Sequence, residues 1–280
     1  GKCAVGGRKG GGMRERTVFR ANQDGVGAAD CYLWKNGALT LSSTIRVSMT
    51  MAELSQQGKV TVGTLRSGEP ALFVTGVAEG MRAMTDVLLL RGGELNNAVL
   101  SPTTGVSGES SRFRALYPAD INGDGVTEVP RTVALYGEEL EGDTAQRVDW
   151  ISFDAAGAAI RVLSTYHAIE DGWYLQLPDG WADTIYIGRS ASADEASVTF
   201  YIGDSRDQSY TPVLRITTLS GSNRERLAVR TGRFILGRND GVIYAGELLK
   251  GNEGWADGVT EDEVRNAFSL IAPEWSVGDN

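Results

Sequence analysis

DCYLWKNGALTLSST (Asp30–Thr44) and DVLLLRGGELNNAVL (Asp86–Leu100) follow one pattern. Each begins with an aspartate, continues with residues that favour β-strands, and reaches a two-residue turn, Asn36-Gly37 in the first and Gly92-Gly93 in the second. Both residues of such a turn need a positive φ, which Asn and Gly tolerate best. The two segments therefore predict two β-hairpins of the same design.

A third, looser copy of this hairpin extends the pattern. Asp149–Leu163 reads DWISFDAAGAAIRVL, with a slightly longer turn around Gly157. Another strand candidate precedes each hairpin: Arg16–Arg20, Ala71–Val77 and Arg131–Tyr136. Repeats of several strands are typical of propeller blades or stacked sheets. We expect residues 13–164 to form three blade-like β units, too few for the ~4–8 blades that close a propeller.

The pattern changes near residue 165, where we place a smaller α+β domain that extends to residue 280. Several of its strand candidates alternate apolar and polar residues, as a half-buried antiparallel sheet does. The turn Asn239-Asp240-Gly241 predicts a hairpin between two of them. The predicted strands are Gly172–Pro178, Thr184–Gly188, Ser197–Ile202, Val213–Leu219, Arg226–Arg230, Arg233–Leu236 and Val242–Leu248.

One helix is predicted near the C-terminal end. Thr260 and Glu263 have the spacing of a capping box, in which each side chain bonds the other residue's backbone N–H. Apolar residues then recur on one face as far as Ile271, and Pro273 stops the helix. We expect the chain to be mainly β, with this single helix in its C-terminal domain.

Charge and hydropathy exclude two classes of protein. The formal net charge is -9, and no basic run is present that could neutralise nucleic-acid phosphates. No segment reaches the ~18 apolar residues that a membrane helix needs. The Gly-rich residues 1–12 are predicted to be a flexible leader, and Cys3 and Cys31 could form one disulfide.

The segment Asp120–Glu128, DINGDGVTE, has the composition of a calcium-binding loop. Calcium binds six to eight oxygen atoms, and oxygen-bearing side chains recur at alternate positions of this segment before a last one at its end. Gly125 permits the sharp turn that such a loop requires. The predicted ligands are the side chains of Asp120, Asn122, Asp124 and Glu128 and the backbone carbonyl of Val126.

The loop differs from an EF-hand. An EF-hand has a bidentate Glu at its twelfth position, where this chain has Arg131, and a strand candidate rather than a helix follows. An ordinary turn with solvated carboxylates is the alternative interpretation. Four oxygen ligands at this spacing favour the metal site.

The segment Ala119–Pro130 (ADINGDGVTEVP) resembles the calcium loop of FG-GAP/VCBS repeats, the blades of integrin-α-like propellers. That resemblance implies a loop joining two strands of one blade. Val62–Leu72 is similar to a degenerate copy, which aligns if one ligand position is deleted before Gly68. It keeps the turn glycine, but Thr64, Arg66 and Ala71 occupy ligand positions, so we expect that copy not to bind metal.

Most of residues 13–275 is also similar to secreted lipoproteins of Gram-positive gut bacteria, in which degenerate FG-GAP blades precede a β-rich module. Two segments carry this second resemblance, Tyr166–Trp181 and Ile271–Trp275. It implies an extracellular or envelope-attached protein, with a lipid anchor and further blades upstream, and a protein or glycan partner at the cell surface. It implies no established activity.

Three other groups of residues were weighed as catalytic or binding sites. His167 is the only histidine, and no Gly-x-Ser-x-Gly elbow accompanies it. The acidic segments 138–143 and 194–195 read as solvated loops rather than a glycosidase pair. The aromatic residues Trp150, Trp173, Tyr174, Trp181 and Tyr186 could form a core or a sugar-stacking surface.

We therefore expect a non-catalytic surface or adhesion-type protein with one structural calcium loop. The alternative is a glycan-binding module or glycan-active enzyme that uses the C-terminal aromatic residues.

Overall fold

The structure is a computed structural model that describes residues 3–4, 15–112, 116–135, 146–204 and 209–271. Cys3, Ala4, Met81, Glu109 and Asp204 are described by their backbone alone. The chain divides into two compact units. The first unit contains residues 1–132, 150–162 and 272–280, and the second contains residues 133–149 and 163–271.

The first sheet is a four-stranded antiparallel meander whose strands pair in chain order. Asn36 and Gly37 both have positive φ (51° and 81°), so the predicted tight turn is confirmed. The strands are β1 (Cys3–Ala4), β2 (Glu15–Ala21), β3 (Val26–Lys35) and β4 (Ala38–Thr50).

The second sheet repeats this order with four further strands. Gly92 and Gly93 form its hairpin turn with φ of 60° and 91°. The helix α1 (Met51–Gln56), which the sequence did not indicate, connects the first sheet to the second. The strands are β5 (Lys59–Thr64), β6 (Pro70–Val77), β7 (Ala83–Arg91) and β8 (Glu94–Asn97).

The third sheet contains the third predicted hairpin. Gly157 lies in its turn with a φ of 84°. Its strands pair in chain order, and they are β9 (Val129–Ala134), β10 (Gln146–Phe153), β11 (Ala159–Ala168) and β12 (Trp173–Leu177). All three predicted hairpins are therefore present, each preceded by the predicted strand.

The fourth sheet lies in the second unit and has five strands in the order β13-β14-β15-β17-β16. The turn at Asp240-Gly241, with φ of 43° and 83°, joins its last two strands as predicted. The strands are β13 (Ile185–Ala191), β14 (Glu195–Asp204), β15 (Ser209–Leu219), β16 (Arg233–Asn239) and β17 (Val242–Leu248).

The C-terminal helix α3 (Glu261–Ala267) has the predicted capping box between Thr260 and Glu263. It is shorter than predicted, because Phe268–Leu270 forms strand β18 and pairs with β12 instead of continuing the helix. Short 3-10 turns occur at Glu79–Met81, Gly108–Ser110, Asp179–Trp181 and Lys250–Asn252.

Two further predictions need correction. The segment predicted as a strand at Arg226–Arg230 instead contains the helix α2 (Arg224–Ala228), whose Leu227 and Ala228 are buried. Within the predicted leader, Cys3 and Ala4 pair with Val18 and Thr17. Backbone pairing at a sheet edge leaves no mark on composition, which is why this short strand was missed. Residues 1–2 and 5–12 of the leader lie outside the described residues.

In the first unit, adjacent sheets share apolar cores. One core joins Phe19 and Cys31 of the first sheet to Val74 and Leu88 of the second. Another joins strands of the second sheet to β9 and β10 through Phe73, Val87, Val129, Ile151 and Phe153. Cys31 is a free thiol with only 1% of its surface exposed.

The second unit has one large aromatic core. Trp173, Trp181 and Phe200 lie at its centre with no exposed surface. The rings of Trp181 and Phe200 are 5.8 Å apart, a contact distance at which aromatic pairs stabilise a core. The helix α3 adds Val264 to this core, so it packs on the sheets of the second unit.

The aspartate that opens each hairpin pattern is buried in all three copies. Asp30, Asp86 and Asp149 are 4%, 0% and 1% exposed. Asp30 accepts from Thr44 Oγ1 on the paired strand at 2.7 Å, and Asp149 accepts from Ser164 Oγ at 2.7 Å. The recurring aspartate is thus an internal hydrogen-bond acceptor rather than a solvated turn residue.

No helix in the described ranges is both long enough and apolar enough to cross a membrane.

Candidate functional site: an acidic loop before strand β9

The predicted calcium loop lies between two backbone segments that pair with each other. Ala119 and Glu128 form an isolated antiparallel bridge, with N···O distances of 3.1 and 2.9 Å. The intervening residues turn sharply, and Gly123 and Gly125 have φ of 76° and 86°. The bridge closes the loop at its base, and β9 begins immediately after it.

Asp120 organises the loop from its first position. Its Oδ1 accepts from the N–H groups of Gly123 at 2.7 Å and Asp124 at 3.0 Å. Its Oδ2 accepts from the N–H of Gly125 at 2.9 Å. One carboxylate therefore satisfies three consecutive amides, which winds the backbone around it.

Asn122 and Asp124 are exposed and bond to each other across the loop. Asn122 Nδ2 donates to Asp124 Oδ2 at 2.9 Å. Asp124 Oδ1 accepts from the N–H of Val126 at 2.8 Å. These two side chains thus have their oxygen atoms on the loop but remain free to turn toward solvent.

Glu128 is fully buried beneath the loop, with none of its surface exposed. Its Oε2 accepts from the N–H of Ile121 at 3.2 Å. Its Oε1 is buried and has no hydrogen-bond partner among the described residues. A buried carboxylate oxygen without a donor lowers the free energy of unfolding, and most buried polar atoms in proteins have a partner.

The electrostatic surroundings of Glu128 are unfavourable for a negative charge. Burial raises the pKa of Glu128 to about 7, and the charges of Asp124 and Asp120 act in the same direction. The bond from Ile121 opposes this rise. The charges of Asp120 and Asp124 thus disfavour a charge on Glu128, and no cation compensates it among the described contacts.

The loop is also fixed to the neighbouring sheet of the first unit. The N–H of Thr127 donates to the carbonyl of Thr64, the last residue of β5, at 2.9 Å. Gly63 packs against the Thr127 side chain so closely that a Cβ at residue 63 would overlap it. The position of Thr127, and with it Glu128, is set by β5.

The predicted ligands are adjacent but do not form a closed metal site. As the loop stands, no three His, Cys, Asp or Glu side chains in the described ranges are arranged to hold a metal ion. The reason is visible in the contacts: Asp120 and Asp124 each face backbone amides, and Asn122 bonds Asp124. Only Glu128 directs a free oxygen inward.

The turn of the degenerate copy lies within the second sheet, immediately before β6, the strand that precedes the second predicted hairpin. Residues 65–69 form the turn between β5 and β6. Gly68 has a φ of 89° there, and its N–H donates to the carbonyl of Leu65 at 2.8 Å. The aligned turn glycine therefore has the positive φ that its alignment with Gly125 predicts.

The tryptophans on which the glycan alternative depends belong to the core. Trp150, Trp173 and Trp181 have no exposed surface, and Trp181 Nε1 donates to the carbonyl of Asp257 at 2.7 Å. A sugar could not stack on these rings unless the core opened. His167 is also buried; its ring stacks on Tyr174 at 5.3 Å, and its Nε2 lies 2.8 Å from Thr165 Oγ1.

The two acidic segments that the sequence predicts to be solvated loops differ in what the structure describes. The acidic segment 138–143 lies outside the described residues. Glu195 forms ion pairs with Arg233 at 2.8 Å and Arg230 at 3.5 Å. It lines a polar groove that sequence reasoning missed, which we call the arginine groove and define by Arg189, Glu195, Arg215, Arg230 and Arg233. Only strand pairing brings these dispersed residues together.

Comparisons with known proteins give little guidance. No family model matches the chain, and no curated protein matches it. The crystal structure of MucB in complex with MucA(peri) is similar at 14% identity and a TM-score of 0.19, covering 96% of this chain and 92% of that one. The complex of Pseudomonas aeruginosa MucA/MucB gives 11% identity and a TM-score of 0.14 over the same shares. Likeness at this level establishes neither fold nor function.

Proposed function

We propose that this protein is a non-catalytic, extracytoplasmic β-repeat protein whose Asp120–Glu128 loop binds calcium for a structural purpose. The observation that carries the proposal is the buried Oε1 of Glu128, which has no donor among the described residues and belongs to a carboxylate whose charge Asp120 and Asp124 disfavour. A cation would compensate the charge that the protein leaves uncompensated.

The donor chemistry fits calcium. The side chains of Asp120, Asn122, Asp124 and Glu128 and the carbonyl of Val126 offer only oxygen atoms, which a hard cation prefers. Asn122 and Asp124 are exposed, so they can turn toward an ion at little cost. Binding would exchange the bond between Asn122 Nδ2 and Asp124 Oδ2 for coordination by the oxygen atoms of both side chains.

The effect of the ion would be on the geometry of the chain. Its ligands run through the loop from Asp120, next to Ala119 of the bridge, to Glu128 at the other end of the bridge, and Thr127 is bonded to β5. An ion held by residues of one loop would therefore fix the entry of β9 against the second sheet. No substrate or reacting group is needed for that role.

The blade interpretation and the cellular location belong to the same proposal. The first two sheets each contain four strands that pair in chain order, as blades of FG-GAP repeats do, and the third pairs β9 to β12 in chain order and adds β18 at its edge. The turn of the degenerate copy immediately precedes β6, and the acidic loop immediately precedes β9. Each of these strands is followed by one of the predicted hairpins. Calcium at ~10⁻³ M is available to extracellular modules, which bind it at ~10⁻⁴ to 10⁻³ M. We therefore place the protein outside the cytoplasm or in the cell envelope.

The test is a thermal melt of the full chain with EDTA and with ~1 mM calcium. For a Kd of ~0.1 mM the ion would contribute about 1.4 kcal/mol, which corresponds to a Tm rise of a few degrees, at roughly 2–4 °C per kcal/mol. Asp124→Ala and Glu128→Gln are expected to lose most of this rise. Magnesium is expected to give a smaller one because it demands a tighter octahedral site.

Asp24→Ala is the matched control. Asp24 Oδ1 accepts from the N–H of Val26 at 3.2 Å, the same local bond that Asp124 makes with Val126. The Asp24→Ala variant therefore loses an equivalent turn contact outside the loop. Its Tm rise with calcium should equal that of the unaltered protein. If calcium leaves the Tm of the unaltered protein unchanged, the loop is only a turn and the proposal fails.

A further inference from the structure

The fourth sheet has one polar outer face that forms the arginine groove, a cavity of about 620 Å³. Its four arginines come from separate parts of the chain. Arg189 lies on β13, Arg215 on β15, Arg233 at the start of β16, and Arg230 just after α2. The groove lies entirely within the second unit.

The floor of the groove is made of hydroxyl groups. Val198 and Phe200 of β14 face the core, so the alternate residues Thr199 and Tyr201 line the groove. Ser190 and Ser197 also line it, and their Oγ atoms are 2.9 Å apart. A lining of this kind offers many hydrogen bonds and little apolar surface.

Protein contacts hold three of the arginines, and Arg189 donates from Nε to Tyr166 Oη at 3.1 Å. Arg233, with a side chain only 10% exposed, donates to the carbonyl of Leu227 at 2.9 Å and pairs with Glu195 at 2.8 Å. Arg215 donates from Nε to Thr199 Oγ1 at 3.2 Å and from Nη1 to Glu247 at 3.3 Å. These contacts orient the guanidinium groups before any ligand arrives.

Some guanidinium N–H groups of these arginines remain available to donate to a ligand. Arg215 uses Nε and Nη1, so its Nη2 has no partner among the described residues. Arg230 makes one long ion pair, 3.5 Å from Glu195, and its side chain is half exposed. Each guanidinium carries five N–H donors in a planar fork, more than these protein contacts use.

The local charge is opposite to that of the chain as a whole. Four arginines line the groove, and Glu195 is the acidic residue among the lining side chains. Glu247 pairs with Arg215, and Glu170 lies 4.0 Å from Arg189. Asp171 also interacts electrostatically with Arg189. The cationic excess therefore belongs to the lining of the groove, where four arginines meet one carboxylate, in a chain of net charge -9.

We propose that the arginine groove binds a sugar-sized polar ligand that carries a sulfate or phosphate group. Guanidinium forks bind such oxyanions through paired, charge-assisted hydrogen bonds. The cavity is much larger than one oxyanion, and cavities of roughly 300–1,000 Å³ hold ligands of one or more rings. The hydroxyl floor would bond the remaining polar groups of the ligand. The calcium loop is not needed for this binding.

The test is isothermal titration of the full chain at low salt with a sulfated heparin disaccharide, the unsulfated disaccharide and inorganic sulfate. We expect measurable binding of the sulfated disaccharide, weaker binding of sulfate, and none of the neutral sugar. Arg230→Gln and Arg215→Gln should each weaken binding about tenfold, as expected for one charge-assisted contact.

Arg238→Gln is the matched control, because Arg238 is an exposed arginine of β16 paired with Glu225 outside the groove. It should leave affinity within about twofold once the small change in net charge is allowed for. Equal weakening by Arg238→Gln, or no binding of either anion at ~10 mM, would overturn the proposal. Binding of sulfate as tight as that of the disaccharide would refute the sugar-sized ligand. Arg230 is half exposed, so this variant should fold even if Arg215→Gln does not.

Discussion

Buried carboxyl groups in this protein fall into two kinds that differ in their donors. The carboxyl group of Asp86 accepts four hydrogen bonds, from the N–H and Oγ of Ser48, from Asn97 Nδ2 and from Ser107 Oγ. Glu128 accepts one bond from a backbone amide and has an unpaired oxygen. The first kind has a donor for each hydrogen bond it needs, whereas the second leaves one buried oxygen without a donor among the described residues, which disfavours its charged form.

For Glu128 this difference predicts a pH dependence in the absence of calcium. Its pKa in the folded protein, about 7, lies above its ordinary value of 4.5. The folded state therefore binds the proton more tightly, and the free energy of unfolding should fall as pH rises from about 4.5 to 7. The expected loss from this group is on the order of 3 kcal/mol.

Urea unfolding in EDTA at pH 5 and pH 7.5 measures this loss, with Glu128→Gln as the reference that cannot titrate at residue 128. The difference between the two proteins should favour Glu128→Gln at the higher pH and shrink at the lower. A constant difference across the range would contradict the expected titration.

For Asp86 we expect a large stability effect that calcium does not influence. Asp86→Ala would leave the donors of Ser48, Asn97 and Ser107 without their shared acceptor in a buried position. Unsatisfied buried donors cost about 1–3 kcal/mol each, so a loss of at least about 3 kcal/mol is expected by urea unfolding. Asp24→Ala, which removes one exposed bond, should change stability by less than about 0.5 kcal/mol. If Asp86→Ala lost no more stability than Asp24→Ala, the buried donors would have found other partners.

At the scale of elements, hairpins were predictable because their turns depend on local backbone conformation. Asn36, Gly37, Asp240 and Gly241 all adopt the positive φ that their residue types favour. The end of α3 was not predictable, because Phe268 has the periodicity of a helix but pairs with Leu175 of β12. Long-range pairing outweighed local helix propensity there. At α2 the opposite error occurred, because a segment predicted as a strand forms a helix that buries Leu227 and Ala228.

The N-terminal cap of α3 provides a test at this scale. Thr260 Oγ1 accepts from the N–H of Glu263 at 3.3 Å, and Glu263 Oε2 accepts from the N–H of Thr260 at 2.7 Å. Thr260→Ala should cost about 1 kcal/mol of stability. Thr260→Ser, which keeps the hydroxyl, should cost less than half as much in the same urea titration. Equal losses would show that the methyl group, not the cap, is responsible.

For the whole molecule, the sequence predicted the mainly β architecture and the residues of the candidate loop. It did not predict that Glu128 would be buried, because the bond from Thr127 to Thr64 joins segments far apart in the chain. The arginine groove was hidden for the same reason, since Arg189 and Arg230 meet only through the fourth sheet and α2. Local spacing identifies ligand types, whereas burial and cavities depend on tertiary contacts.

The division into two units predicts where calcium should act. Hydrogen exchange should slow at the loop amides of residues 121–128 and in β9 when calcium is added, because opening of that region would release the ion. Peptides from β13 to β17 in the second unit should exchange at an unchanged rate. Asp124→Ala should abolish the local protection. Slowing spread evenly over both units would contradict a local structural role.

The buried thiol of Cys31 can report how often the first sheet opens. Its side chain is 1% exposed, and burial raises its pKa, with Glu15 adding to that effect. A thiol reagent can therefore reach it only while β3 is parted from its neighbours. In a Cys3→Ser background, the labelling half-life counts such openings directly. Adventitious oxidation of Cys31 during storage would record the same events without any added reagent.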